Sequence, residues 1–242
     1  MRRSLADERG YTLIEMMMAT AAGLVVAAAT MAILVSAYKF MTNTADRVDA
    51  NQQGRVAMER IVQLLDSSCV AGLGVSPVVG QGTSGPGPAS SATSLTFYGA
   101  LSDQVTIDPN EYVIFINSAG ALELDTYAYA AGPQGAWTFN STPSQATLVA
   151  RAAQVPGSSG LFSYYSYNSS GALVADSLTN GTLPGSIASD VAAIGIQFQA
   201  QATDGNASPG TAFDLQNQVV LRLLPVSADN YPDNTTTPYP CS

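Results

Sequence analysis

Near the amino end of the chain the apolar residues form one unbroken block. They continue as a helical stripe and beyond residue 93 they alternate with polar ones. Residues 16–38 are 23 positions without a charge, more than the ~20 residues a helix needs to cross hydrocarbon. Residues 39–66 contain no proline and carry charges of both signs among good helix formers. Met41, Ala45 and Val48 follow i, i+4, i+7 spacing, and Gly54, Met58, Ile61 and Leu65 form a second stripe. Asn51, Gln52 and Gln53 interrupt the apolar face between them, and Gly54 would permit a bend. No proline precedes Pro77. One helix over residues 11–66 is therefore predicted, on the order of 80 Å long. Its first part, 11–40, suits a membrane or a bundle of helices. Its amphipathic part, 41–66, suits packing on a globular domain.

After the helix comes a stretch without charges, 67–102, and within it 72–93 is loaded with Gly, Pro and Ser. Residues 67–93 read as a loop or flexible linker, a surface excursion rather than part of a core. Strand-like runs follow at 94–100, 112–117, 121–129, 146–151, 161–167, 191–202 and 218–223. The second and third are separated by Ser118, Ala119 and Gly120, a hairpin-length turn. A phrase recurs: Asn117-Ser118-Ala119-Gly120-Ala121-Leu122 against Asn168-Ser169-Ser170-Gly171-Ala172-Leu173. It marks either two hairpins of one architecture or shared turn chemistry. Ile194, Ile196 and Phe198 alternate with Gly195 and Gln197, as Val219, Leu221 and Leu223 do with Val220 and Arg222. Such alternation predicts antiparallel strands with one buried face. The fold class is α+β, a long helix followed by an antiparallel, β-sheet-rich head over 94–242.

The junction before the apolar block carries the chemistry. Residues 9–15 read Arg-Gly-Tyr-Thr-Leu-Ile-Glu. Glu15 lies at the mouth of the apolar segment, where an unpaired carboxylate costs roughly a few kcal/mol. Cleavage after Gly10 would create a partner for it, an ammonium on Tyr11. In a bundle of parallel helices each Glu15 can meet a neighbour's terminal amine, with its own Tyr11 amine as the alternative, and two charges costly alone become tolerable as a pair. Such a pair would set the stagger between helices as a buried polar residue sets coiled-coil register. Eight alanines among residues 16–38, with Gly23, Thr20, Thr30 and Ser36, suit close helix packing better than lipid contact alone. A secretory signal, a plain single-span anchor and a buried globular helix compete for this segment. A signal's apolar region is shorter, about 7–15 residues. A plain anchor explains neither Glu15 nor the Gly10-Tyr11 step.

This junction resembles that of the type IV prepilins, which include pilins and the pseudopilins of type II secretion. The resemblance implies a membrane peptidase that cuts after Gly10, N-methylation of Tyr11, and a role for Glu15 in assembly. Residues 1–10 are then a leader, held on the cytoplasmic side by Arg2, Arg3 and Arg9, with the head outside the cytoplasmic membrane. Further along, Phe162-Ser163-Tyr164-Tyr165-Ser166-Tyr167-Asn168 with Gly171 resembles a hairpin of minor pilins of the PilW and PulJ type. Residues 53–60, 190–196 and 218–223 resemble their late helix, penultimate strand and closing strand. The resemblance implies a lollipop-shaped minor pilin or J-type pseudopilin. Its partners would be the prepilin peptidase, other pilins and an inner-membrane assembly platform with its motor. The alternative is a membrane-tethered binding domain that never polymerises.

Composition narrows the remaining choices. The chain of 242 residues has net charge −9, and residues 67–242 hold Arg151 and Arg222 against eleven acids. An acidic head disfavours nucleic acid, whose phosphates want Lys and Arg clusters. The chain contains no histidine, and neither a phosphate loop nor a serine triad can be assembled, so no enzyme and no cofactor is expected. Cys69 and Cys241 would be expected to pair outside the membrane, closing about 170 residues at a stabilisation of up to roughly 5 kcal/mol. Free thiols and pairing with other chains are the alternatives. Glu123 with Asp125, or Asp229 with Asp233, are candidate calcium ligands. Plain solvated acids are the simpler reading.

Overall fold

The computed structural model describes residues 11–68, 77–83, 85–99, 109–132, 137–202 and 212–221. The chain divides into two compact units, Met1–Ala45 and Asp46–Ser242.

The first unit holds the start of α1 (Leu13–Asp66). Residues 11–42 are exposed in the single chain, although Leu24, Val25, Val26, Met31, Ile33 and Leu34 point in every direction around the axis. A helix apolar on all sides has no face suited to water. Its two threonine hydroxyls between residues 16 and 38 are internally satisfied: Thr20 donates to the carbonyl of Met17, and Thr30 to that of Ala27, each at 2.9 Å. That arrangement tolerates an apolar medium, where an unpaired hydroxyl does not.

The second unit is built on the later part of α1. Its buried face is Ala50, Gly54, Ala57, Met58, Ile61, Leu64 and Leu65, the spacing of one helical side. Asn51 and Gln53 point elsewhere and form i, i+4 bonds, with Arg55 Nε and to Asp49 Oδ2, both at 2.8 Å. The polar interruption is thus the solvent side of the helix.

Two antiparallel sheets surround this face. The first comprises β1 (Ser94–Gly99), β2 (Asn110–Ile116), β3 (Leu122–Tyr127) and β6 (Ser144–Val149), in that order. β4 (Tyr129–Ala131) and β5 (Thr138–Phe139) form a small ribbon. The second sheet runs β11 (Phe213–Val220), β10 (Val191–Ala200), β8 (Phe162–Tyr167), β9 (Leu173–Ala175), and β7 (Ala152–Ala153) adds to β10. A short helix, α2 (Gly185–Ala188), precedes β10. The core joins Ile61, Leu64 and Leu65 to Phe97, Tyr112 and Ile114 of one sheet and Tyr164, Ile194, Ile196 and Phe198 of the other. The Tyr164 hydroxyl donates to the carbonyls of Ser91 and Ser94 at 2.8 and 3.1 Å, tying the second sheet to the start of the first.

The seven expected runs all contain strands, with two revisions. The run 121–129 divides at Ala128 into β3 and β4. β11 begins at Phe213, five residues before the expected 218: this edge strand is largely exposed, and polar Asp214, Gln216, Asn217 and Gln218 outnumber Phe213 and Leu215 before Val219. The recurring phrase is shared turn chemistry within two hairpins. Asn117 Oδ1 accepts from the amides of Ala119 and Ala121, and Asn168 Oδ1 from those of Ser170 and Ala172. Gly120 and Gly171 then adopt φ of +81° and +76°, which side chains disfavour. The Gly/Pro/Ser-rich stretch differs from a loose excursion. Val79 N–H bonds the carbonyl of Thr96, Tyr98 N–H that of Pro77, and Val78 and Val79 are buried.

Gly54 also has a role other than a bend: α1 continues through it, and the second sheet lies against it. A Cβ there would stand 2.2 Å from Leu215 Cδ1 and 3.0 Å from Ala200 Cβ. Leu215 borders a groove of about 430 Å³ into which it can turn. Gly54→Ala should therefore be near neutral, a helix-propensity gain of about 1 kcal/mol offsetting the contact. Gly54→Leu should destabilise by about 2 kcal/mol through overpacking. Urea denaturation of the two variants checks this, and equal midpoints would refute the close approach.

Candidate assembly site and the acidic face of the first sheet

The helix opens on a reciprocal cap. Thr12 is the N-cap and Glu15 the third helical residue, and the Glu15 amide donates to Thr12 Oγ1 at 3.4 Å. In return Glu15 Oε2 accepts from the Thr12 amide at 3.0 Å and its hydroxyl at 3.1 Å. This capping box satisfies amides that the helix start would leave open, and the carboxylate sits favourably at the positive end of the helix dipole. Glu15 and Tyr11 are both exposed, and Tyr11 lies one residue before the cap. The Thr-x-x-Glu signature at 12–15 is readable in sequence, so Thr12 is a residue that reasoning from charge alone passes over. Gly10, Cys69 and Cys241 lie outside the described residues, as do Asp229 and Asp233.

The other acids that drew attention are placed on the face of the first sheet that turns away from the core. Glu123 accepts from Asn117 Nδ2 at 2.7 Å and Asp125 from Gln145 Nε2 at 3.0 Å. Each carboxylate has its own amide partner, and among the described residues no group of three metal-ligating side chains gathers.

Glu111, two positions before Val113 on the same face of β2, is the acid that sequence reasoning missed. It is fully buried. Oε1 accepts the Gly87 amide at 2.6 Å, whereas Oε2 has no hydrogen-bond partner and lies against Gly85. Burial pushes its pKa up from 4.5 to about 7, against the lowering effect of the Gly87 bond. A Cβ on Gly85 or Gly87 would meet Glu111, so the segment covers the acid only because these two positions lack side chains. The signal was present as an acid in the alternating set 111, 113, 115, but its burial depends on the loop folding over it.

The family model of the prokaryotic N-terminal methylation motif matches residues 5–31. This motif is that of pilin-like and pseudopilin proteins, whose role is structural rather than enzymatic, and it implies processing by a prepilin peptidase and assembly with other pilins. α1 includes a window of mean hydropathy 2.2, long and apolar enough to cross a membrane. No curated protein and no solved structure matches the chain.

Proposed function

We propose that the chain is a minor pilin or pseudopilin subunit of the PilW and PulJ kind. It is cleaved after Gly10, methylated at Tyr11, and assembled through its apolar helix into a type IV pilus or a type II secretion pseudopilus. Before assembly it crosses the cytoplasmic membrane once, with the sheet-bearing unit outside. Residues 11–40 act as the assembly segment, and the prepilin peptidase, other pilins and an assembly platform are its partners.

The observation that carries this reading is a helix apolar on every side whose start holds Glu15 in a cap. Such a surface is suited first to lipid and then to other helices. Among the described residues the Glu15 carboxylate has only neutral donors, the Thr12 amide and hydroxyl. A neighbour's terminal ammonium is a stronger partner, because charge-assisted bonds are roughly twice as strong as neutral ones. Mass spectrometry of the amino-terminal peptide from native protein tests the proposal. The expected result is a chain beginning at Tyr11 with one added methyl. A functional protein that retains Met1 would make it a tethered domain instead.

A further inference from the structure

On the outward face of the first sheet a cavity of about 280 Å³ opens between Pro88, Thr93, Ser94, Val113, Phe115 and Asp125. Its walls are mainly apolar, and Asp125 supplies the charge. Asp125 is 8 % exposed and stands directly across the strands from Val113. Gln145 occupies Oδ1, and among the described residues nothing engages Oδ2. Glu111 and Glu123 share this face of the sheet, and no Lys or Arg occurs between residues 94 and 149. A carboxylate this enclosed, with one oxygen free toward the cavity and no cation beside it among the described residues, is an unfavourable arrangement that a cationic ligand relieves.

We propose that this cavity binds a primary alkylammonium group, an aliphatic stem ending in an ammonium. The chemistry selects among cations. A hard metal ion wants several oxygen ligands, and no group of three metal-ligating side chains gathers among the described residues. A guanidinium favours both oxygens of a carboxylate, but Gln145 already holds one. An ammonium is a point charge that one oxygen serves, while Val113, Phe115 and Pro88 cover its stem. The volume is just below that of drug-sized sites, roughly 300–1,000 Å³, and suits one side-chain-sized group. The ligand is either a free amine or a lysine side chain of another protein.

The test is titration of the full chain in zwitterionic micelles, followed by amide chemical shifts of the sheet. The probes are pentylammonium chloride, Nα-acetyl-lysine methylamide and the norleucine counterpart of the latter. Saturable binding of either amine, centred on Val113 and Asp125 and absent with norleucine, is expected. Tighter binding of the lysine derivative assigns the source to a protein, and tighter binding of pentylammonium assigns it to a free amine. Asp125→Asn should weaken binding about ten- to a hundredfold, the range for a lost charged hydrogen bond. Thr93→Arg, at an exposed rim position, should also block the cavity and serves if the first variant fails to fold. No saturation, equal binding of norleucine, indifference to both variants, or stoichiometric displacement by calcium would each overturn the proposal.

Discussion

Glu111→Gln is expected to stabilise the sheet-bearing unit by about 2 kcal/mol at pH 8 and to change little at pH 4. The folded-state pKa of Glu111 is raised from 4.5 to about 7 by burial. Between these values the unfolded chain has lost the proton and the folded chain keeps it. Stability attached to this group is therefore fully present below pH 4.5, declines as pH rises, and is lost once pH passes about 7. The whole difference would correspond to about 3 kcal/mol, and some is discounted because only a thin loop screens the carboxyl from water. The groups facing it are Tyr98 on β1, Tyr127 and Asp125 on β3, and the amide of Gly87, so no cation compensates the charge among the described residues. Tyr98, itself buried, is pushed up to about 12, with Glu111 adding to the effect. Glutamine keeps an acceptor for Gly87 and cannot ionise. Urea titrations of the full chain in micelles at both pH values check the difference. Parallel pH profiles for the two proteins would show that the carboxyl ionises freely.

Glu15→Ala should reduce incorporation into sheared fibres at least tenfold while leaving the amount of chain in the membrane unchanged. The magnitude follows from leaving a neighbour's ammonium unpaired in an apolar bundle, about 3–5 kcal/mol. The cap makes a second variant informative. Glutamine can take the place of glutamate in a capping box, so Glu15→Gln retains the bonds from Thr12 and removes only the charge. If Glu15 serves as a charge partner, both variants fail alike. Incorporation of Glu15→Gln at the wild-type level would reduce the residue to a helix cap and remove its part in subunit pairing. Immunoblots of sheared and membrane fractions distinguish these outcomes.

Much of the second unit was legible because one face of each element is buried. Gly54, Met58, Ile61 and Leu65 are all buried, as the stripe requires. Ile194, Ile196, Phe198, Val219 and Leu221 are buried too, while Val220 is 54 % exposed. Periodicity reports which side faces the core, and it did so for these residues; Arg222 and Leu223 of the same pattern lie outside the described residues. It was silent where one partner suffices: β9, β7 and the first half of β11 are short or exposed, and cross-strand amides define them more than apolar burial. The stripe of Met41 and Val48 remains exposed in the single chain.

Local chemistry was sufficient for the apolar helix, the Thr12–Glu15 cap and the two turns that begin at Asn117 and Asn168, since each rests on neighbours within a few positions. The tertiary structure alone decided that Gly54 is a contact with the second sheet, that Pro77 and Val79 bond to β1, and that Glu111 and Asp125 are enclosed. These depend on segments far apart in the chain meeting at short range. Burial of a charge is a property of the surroundings, which no single segment contains.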